Sequence, residues 1–473
     1  MKKIILTLCA MTLTTAAYAI DWDLETFVNA SIVHTDNVTL AGDGLEESDT
    51  ILVLAPQFNL TGESARVDLD LSYNPQAVFY DNTDGADQVF HVLDGIMTTE
   101  LLDDRFFLDL VGSKFQTIVT PDGNFPLDNI PASNNRADAT VLTVNPYWQQ
   151  RLGRADLRVT AAHTRTDLDD ESVDPLLLGN LQSNRSNTAG INIGSIPSER
   201  GITWSFDYNY QRIEYDDFLP FEFQRGALQL GFWANDNVRV FSTVGRETAF
   251  DDFFDGSPDS SFWEGGVQYA PSERFNFEVA AGDRSFGTTV RGALTYNTRR
   301  TRTTFTYAET PTTQGALFAG RRPLRDIDNL DGLLDRANAA DRIVQKRGEL
   351  STTVELNRTT INWRIFSERQ LDRFTADGTP LPDNDLTGAA FRFDWRFGPR
   401  TNLNFTADTA KRTGDLGDGD FWRIGVGAVY NVSSRLTLGL NIEHLEQNGG
   451  GFGGVGGQGF DANRGTLTIG MRL

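Results

Sequence analysis

Charged side chains recur at every second position in the most regular segments of this sequence. Asp68 and Asp70 alternate with apolar residues, and Arg392, Asp394 and Arg396 do the same. Alternate residues of an extended chain project to one side, so these groups share a polar face. The guanidinium fork of Arg suits carboxylate or sugar-acid ligands, and it suits neighbouring wall carboxylates equally well. The candidate functional residues of this kind are Arg66, Asp68, Asp70, Arg158, Asp207, Asn209, Arg291, Arg364, Arg392, Asp394, Arg396 and Arg423.

Asp326, Asp328 and Asp331 form a weak candidate for a calcium site. Their spacing departs from the EF-hand loop, because Leu330 takes the fifth position and Gly332 comes one position late. The alternative is a solvated loop or a short helix without a metal ion.

No arrangement of residues in the sequence indicates an enzyme. The four histidines lack metal-ligand spacing, and there is no nucleophile elbow and no Gly-rich phosphate loop. We therefore expect neither catalytic activity nor a bound cofactor.

Length and composition limit the possible classes of protein. The chain has 473 residues and a formal charge of −23, and its mean hydropathy is −0.34. This hydropathy is too low for a bundle of membrane helices, each of which needs about 20 apolar residues. The negative charge argues against a nucleic-acid partner. The hydrophobic content of 39% argues against a disordered acidic chain. A soluble all-β protein and a transmembrane β-barrel both remain.

The first 19 residues have the pattern of a secretory signal peptide. Two lysines precede an apolar run, and Ala17, Tyr18 and Ala19 form a small-x-small cleavage site. The single cysteine, Cys9, lies in this segment. The mature chain from residue 20 therefore has no disulfide framework.

Strict alternation of apolar and polar residues is the dominant pattern after Trp22, and it predicts β-strands. Short turns alternate along the chain with longer polar connections, which include 118–136, 168–186 and 311–346. Outer-membrane barrels have this layout of short periplasmic turns and long external loops. The sequence predicts an all-β fold, an antiparallel transmembrane β-barrel of about 22 strands, within a range of roughly 18 to 22. We expect residues 20–473 to form this barrel as a single domain.

The second face of the predicted strands is apolar. Apolar strand faces must be covered by other elements or by lipid, and no predicted helices are available to cover them. A closed sheet that turns these faces to the lipid meets this need and leaves no free edge. The same closure turns the charged face into the lining of a lumen and a candidate permeation path, or a salt-bridged wall. The predicted lipid-facing residues are Val67, Leu69, Leu71, Leu157, Val159, Trp204, Phe206, Phe393, Trp395, Ile424, Val426, Leu438 and Leu440.

The last residues of the chain form an amphipathic strand. Gly465, Leu467, Ile469 and Met471 alternate with polar residues up to Leu473 at the terminus. This strand resembles the assembly signal of outer-membrane barrels, although a terminal Phe is usual there. We therefore expect it to engage the barrel assembly machinery.

Several motifs in roughly the first 110 residues carry a resemblance to a known family. They are Thr35-Asp36-Asn37-Val38-Thr39-Leu40, Glu47-Ser48-Asp49-Thr50-Ile51, Ala55-Pro56, the strand from Val67 to Tyr73, and His91-Val92-Leu93. They resemble the outer-membrane β-barrel porin family associated with PEP-CTERM and exopolysaccharide gene clusters. The resemblance implies an outer-membrane barrel and a role in the passage of an extracellular polysaccharide. It transfers no catalytic or binding residue.

Together these patterns favour a porin-like barrel in the outer membrane of a Gram-negative cell, which passes or exports a hydrophilic solute. Its expected partners are outer-membrane lipids and a polysaccharide or small hydrophilic solute. Two alternatives stay open: a structural or docking barrel with a closed lumen, and a barrel-embedded hydrolase. The loop 311–346 is a candidate for folding into the lumen as a constriction.

Overall fold

The computed structural model describes most of the chain from residue 20 to residue 473. The segments outside the described residues are 1–19, 120–123, 125, 134, 170–182, 197–200, 216–219, 250–258, 314–341, 375–379, 382, 415–417 and 450–458. The predicted signal peptide is therefore outside the described part of the chain.

Twenty-two strands, from 10 to 17 residues long, form the described structure. A two-residue strand, Pro380–Leu381, adds a short pairing beside the seventeenth. In chain order the strands are β1 (Asp21–Thr35), β2 (Asp49–Glu63), β3 (Val67–Tyr80), β4 (Gln88–Leu102), β5 (Phe106–Ile118), β6 (Arg136–Leu152), β7 (Ala155–Asp169), β8 (Asn184–Ser195), β9 (Gly201–Tyr215), β10 (Phe221–Trp233), β11 (Val238–Glu247), β12 (Ser260–Ser272), β13 (Phe275–Arg284), β14 (Gly287–Asn297), β15 (Thr301–Thr313), β16 (Arg342–Glu355), β17 (Thr359–Phe374), β18 (Asn384–Arg396), β19 (Thr401–Gly414), β20 (Gly419–Asn431), β21 (Leu436–Gly449) and β22 (Phe460–Arg472).

The strands close into one antiparallel barrel. Each pairs with its neighbours in sequence, and β1 also pairs with β22, from Phe27 opposite Arg472 to Thr35 opposite Arg464. This last ladder removes the two sheet edges that an open sheet would expose. The predicted all-β barrel of about 22 strands is thus confirmed. Among the described residues no helix has the length and apolar character needed to cross a membrane.

Short turns lie at one end of the barrel, which we call the turn end, together with both ends of the described chain. Four of these turns are closed in the same way, by a side-chain oxygen that accepts hydrogen bonds from backbone N–H groups two and three residues later. The four residues are Ser64, Asn235, Thr298 and Ser433. Such local bonds favour tight hairpins. The opposite end, the loop end, carries the longer connections.

The two faces of the wall differ in chemistry. Residues that lie directly opposite each other on paired strands share a face, so the ladders assign each strand residue to the outside or to the lumen. All of the predicted lipid-facing residues lie on the outer face. Large apolar side chains remain exposed there, for example Leu438 and Val426. A lipid-facing surface needs this composition, because a charge at the bilayer midplane costs about 2–4 kcal/mol.

Candidate functional site in the barrel lumen

The hairpin formed by the ends of β5 and β6 leaves the barrel wall. β4 pairs with β5 only as far as Leu93 opposite Lys114, whereas β5 and β6 stay paired up to Ile118 opposite Arg136. β6 in turn pairs with β7 only from Asp138 onwards. We call residues 115–137 the inserted hairpin.

Successive residues of the inserted hairpin are buried on both faces. Phe115, Gln116, Thr117 and Ile118 are all less than 8% exposed, although alternate side chains point in opposite directions. A strand in the wall would keep one face open to lipid or solvent. The described residues of the inserted hairpin therefore lie inside the lumen, with protein on both sides.

The inserted hairpin reaches across the lumen. Ile118 joins a buried apolar cluster with Phe366, Leu386, Ala410 and Phe421, which lie on β17 to β20. These strands are on the far side of the barrel from β5. Burial of each large apolar side chain contributes about 1.5–3 kcal/mol, which favours the crossed arrangement.

Other contacts fix the hairpin loop to the near wall. Ile130 and Ala132 pack against a cluster on β1 to β4 and the loop after β1, which consists of Val33, Val38, Ile51, Val78 and Phe90. Asn129 donates hydrogen bonds to Gln76 Oε1 (3.1 Å) and Gln116 Oε1 (2.9 Å). An unpaired buried amide would cost about 1–3 kcal/mol, so these bonds set the position of the loop.

An ion-pair network fastens the tip of the hairpin loop. Arg464 on β22 donates to Asp128 Oδ1 (3.0 Å), lies 2.6 Å from Asp128 Oδ2, and also contacts Glu443 on β21. Burial raises the pKa of Asp128, but the Arg464 guanidinium lowers it further, so that the pKa of this carboxyl lies below its usual range. We call Asp128, Glu443 and Arg464 the latch.

The structure places all but one of the predicted lumen residues on lumen-facing strand positions. The strand pairings place them on the face of the sheet that also contacts the inserted hairpin, for example through Phe366 and Arg464. These residues are Asp68, Asp70, Arg158, Asp207, Asn209, Arg291, Arg364, Arg392, Asp394, Arg396 and Arg423. Their role in permeation stays a prediction.

Arg66 is the exception, and its predicted position on the lumen wall is wrong. It lies in the turn before β3, and its guanidinium pairs with the exposed Asp103 of the next turn. Alternation alone does not locate the first residue of a strand, and here the Ser64 side chain closes the turn as far as Val67.

Several lumen-facing arginines are held by carboxylates of the wall. Arg423 donates to Asp408 Oδ2 (2.9 Å), and Arg291 lies 2.5 Å from Glu278 and 3.6 Å from Glu264. These pairs fix the guanidinium groups against the wall. The lining is therefore both salt-bridged and polar.

Charge is distributed unequally around the lumen. β2 to β5 carry the lumen-facing acids Asp68, Asp70, Asp94 and Asp109, and Glu63 lies directly opposite Asp68. The described strand residues of β1 to β5 include no lumen-facing Lys or Arg. The lumen-facing arginines lie on other strands, from β6 to β22. The lumen face of β2 to β5 is thus acidic, whereas the rest of the lumen also carries arginines.

A cavity of about 290 Å³ lies along β9 to β15, beside the wall that the inserted hairpin leaves uncovered. Small residues make room for it. The Phe241 ring lies over Gly266 and the Phe262 ring lies over Gly245, in positions where a Cβ would overlap the rings. Because the rings occupy the space that a side chain at Gly266 or Gly245 would fill, the cavity beside them stays open.

Arginines cover the two aromatic rings. Arg225 and Arg284 lie over the Phe262 ring, 4.7 and 5.8 Å from its centre, and Arg291 lies 5.4 Å from the centre of the Phe241 ring. Guanidinium groups at these distances interact favourably with aromatic faces. The rings therefore help to hold the positive charges at the edge of the cavity.

The prediction from sequence omits Arg225, Glu264 and two residues of the latch, Asp128 and Arg464. Glu264 had a usable signal, because Trp263 and Val267 lie at apolar alternate positions and so predict a lumen-facing residue between them. Asp128 had none, because it lies in a loop whose path depends on distant strands.

The predicted calcium residues Asp326, Asp328 and Asp331 lie outside the described residues, as does most of the loop 311–346. Among the described residues, no group of three or more His, Cys, Asp or Glu side chains is placed to hold a metal ion. At the described ends of this loop, Val344 is buried against Ile213, Tyr215 and Phe221 of β9 and β10. Folding of the rest of the loop into the lumen stays a prediction, and the connection after β5 also crosses the lumen.

No protein-family model matches the sequence, and no curated protein is similar to it. Solved structures are similar in fold. A mutant of the ferric enterobactin receptor from Pseudomonas aeruginosa, in complex with enterobactin, has a TM-score of 0.50 at 13% identity, over 95% of this chain and 81% of that one. The siderophore receptor PirA from Acinetobacter baumannii gives 0.49 at 8% identity over 95% and 80% of the two chains. OprD from Pseudomonas aeruginosa gives 0.35 at 11% identity over 96% and 95%. The chain thus has the fold of an outer-membrane barrel.

Proposed function

We propose that the protein is an outer-membrane channel for small hydrophilic solutes. One observation carries this proposal: the lumen is lined by charged and polar side chains, and the inserted hairpin leaves the cavity along β9 to β15 unfilled. A second cavity of about 570 Å³ lies at the loop end beside Tyr80, Asp87 and Arg136. Polar lining beside a constriction suits solutes that pass with part of their hydration.

The apolar outer face, the signal-peptide pattern and the C-terminal strand support the location and partners in this proposal. The exposed apolar residues of the strands would contact outer-membrane lipids, after export directed by the signal peptide. The C-terminal strand would engage the barrel assembly machinery. The similar fold of the ferric enterobactin receptor supports the class of outer-membrane barrel.

A link to an extracellular polysaccharide is the finer form of the proposal. It is supported by the family resemblance in roughly the first 110 residues. Oligosaccharides that enter the lumen should then reduce its ion current, whereas sugars that do not enter should leave the current unchanged.

Conductance in planar bilayers tests the channel function. We expect the purified, folded full chain to give stepwise ion currents, and heat-unfolded protein to give none. A folded barrel without conductance would contradict the proposal and favour a structural or docking barrel with a closed lumen.

A further inference from the structure

The cavity along β9 to β15 contains an arginine whose charge the wall leaves poorly satisfied. The Nε atom of Arg225 is buried and has no hydrogen-bond partner among the described residues. Its ion pair with Glu247 is long, at 3.9 Å. The oxygens of Glu247 are already used by Arg284 and by the backbone and hydroxyl groups of Ser285. Arg225 is thus a positioned cation with free donors.

Three carboxylates line the same cavity: Asp207, Glu264 and Glu309, of which Glu309 lies 3.5 Å from Lys346. The other two are also incompletely paired. Asp207 on β9 accepts a hydrogen bond from Asn192 and makes no ion pair with the described residues. The Glu264 carboxylate lies 3.6 Å from Arg291, which is longer than a hydrogen bond. Arg225, Asp207 and Glu264 all line the cavity.

We propose that this cavity binds a small zwitterionic solute that carries one carboxylate and one ammonium group. The Arg225 fork receives the carboxylate, and Asp207 and Glu264 receive the ammonium group. The inference rests on the proposed channel function and names the class of solute that this passage selects.

Charge and size together favour a zwitterion. A simple anion would leave the charges of Asp207 and Glu264 uncompensated, and a simple cation would leave the charge of Arg225 uncompensated. A guanidinium binds a carboxylate with charge-assisted and often bidentate hydrogen bonds. The volume of about 290 Å³ is at the lower end for ligand pockets, so the solute must be small.

Calorimetric titration of the folded full chain in detergent tests the proposal with three probes. Alanine carries both charges, lactate carries only the carboxylate, and ethylamine carries only the ammonium group. We expect alanine to bind about tenfold or more tightly than either single-charge probe, because each charge-assisted contact contributes on the order of tenfold.

Variants of the lining residues identify the site. Arg225→Met and Asp207→Asn should each weaken alanine binding about tenfold. Arg225→Lys should be intermediate, because it keeps the charge and loses the fork. Arg435→Met is the matched control: this exposed residue lies in the turn before β21, and its replacement should leave binding unchanged. Gel mobility before and after heating checks that each barrel is folded.

Three outcomes would overturn the inference: equal binding of lactate and alanine, equal binding of ethylamine and alanine, or no binding of alanine. If Arg225→Met does not fold, Asp207→Asn and Arg225→Lys still test whether alanine binds at this cavity. Because binding is measured without a membrane, conductance without alanine binding would reject only the solute class. Alanine binding without conductance would reject only the channel.

Discussion

Glycines beneath lumen-facing rings set the shape of the wall at the scale of single residues. At Gly388 on β18 an added Cβ would overlap the ring of Phe366, which is almost fully buried in the cluster that receives the inserted hairpin. The ring has little room to move, because Ile118 and Leu386 pack in the same cluster.

Gly388→Ala should therefore destabilise the barrel by about 1–3 kcal/mol, the usual cost of overpacking. Urea unfolding of the protein in lipid vesicles measures this difference. Gly265→Ala is the control, because an added Cβ there has no atom within 4 Å. Equal stability of the two variants would show that the ring moves freely.

The latch predicts how the constriction responds to pH. The pKa of Asp128 is lowered from its usual 3.8. A carboxyl of this kind contributes stability above the unfolded-state pKa and loses it as the pH falls through the folded-state value. Current fluctuations should therefore stay constant between about pH 7 and 5 and increase only below about pH 4. Arg464→Met should remove this acid response, and a change in fluctuation between pH 7 and 5 would argue against the latch.

At the scale of elements, the inserted hairpin controls how open the lumen is. Replacement of residues 120–134 by a short Gly-Ser linker should leave the barrel folded, because the wall ladders do not involve this segment. The conductance should rise severalfold, since Leu127 would no longer pack against the cluster on β17 to β20 and Ile130 would no longer hold the loop on the near wall. Single-channel recording measures this change.

The same linker in place of 450–458, which is Gly-rich in sequence, provides a matched control. It should alter the conductance much less than the hairpin replacement. Equal effects of the two replacements would mean that the inserted hairpin is not the constriction.

At the scale of the whole molecule, the unequal charge distribution predicts ion selectivity. Asp68 and Asp70 belong to the acidic wall of β2 to β5, and Arg392 belongs to the part of the lumen that carries arginines. Neutralisation of both acids, Asp68→Asn with Asp70→Asn, should shift the reversal potential in a salt gradient toward anions. Arg392→Gln should shift it toward cations.

Both shifts should be larger at low salt, because the Debye length grows from about 10 Å at 0.1 M to about 30 Å at 0.01 M. A reversal potential that neither variant changes would show that ions do not pass close to these walls.

The sequence by itself determined the barrel. Alternation from Val67 to Tyr73, and in every comparable segment, fixes which side chain faces lipid, since a one-residue step reverses the face. Local turn residues such as Ser64 close four of the short turns. Such local rules predict the strand count and the closure of the sheet. They also predict which residues point into the lumen, from Asp68 on β3 to Arg423 on β20, and fail only for the turn residue Arg66.

Only the tertiary structure decided what occupies the lumen. The connection 118–136 and the loop 311–346 both look like polar loops in sequence, and the insertion of the first depends on surfaces far away in the chain. Ile118 meets Phe366 and Asp128 meets Arg464 only after the sheet has closed. Arg225 likewise keeps free donors because Glu247 pairs closely with Arg284 instead. Contacts between residues this distant leave no periodic signal, so the barrel was predictable and its constriction was not.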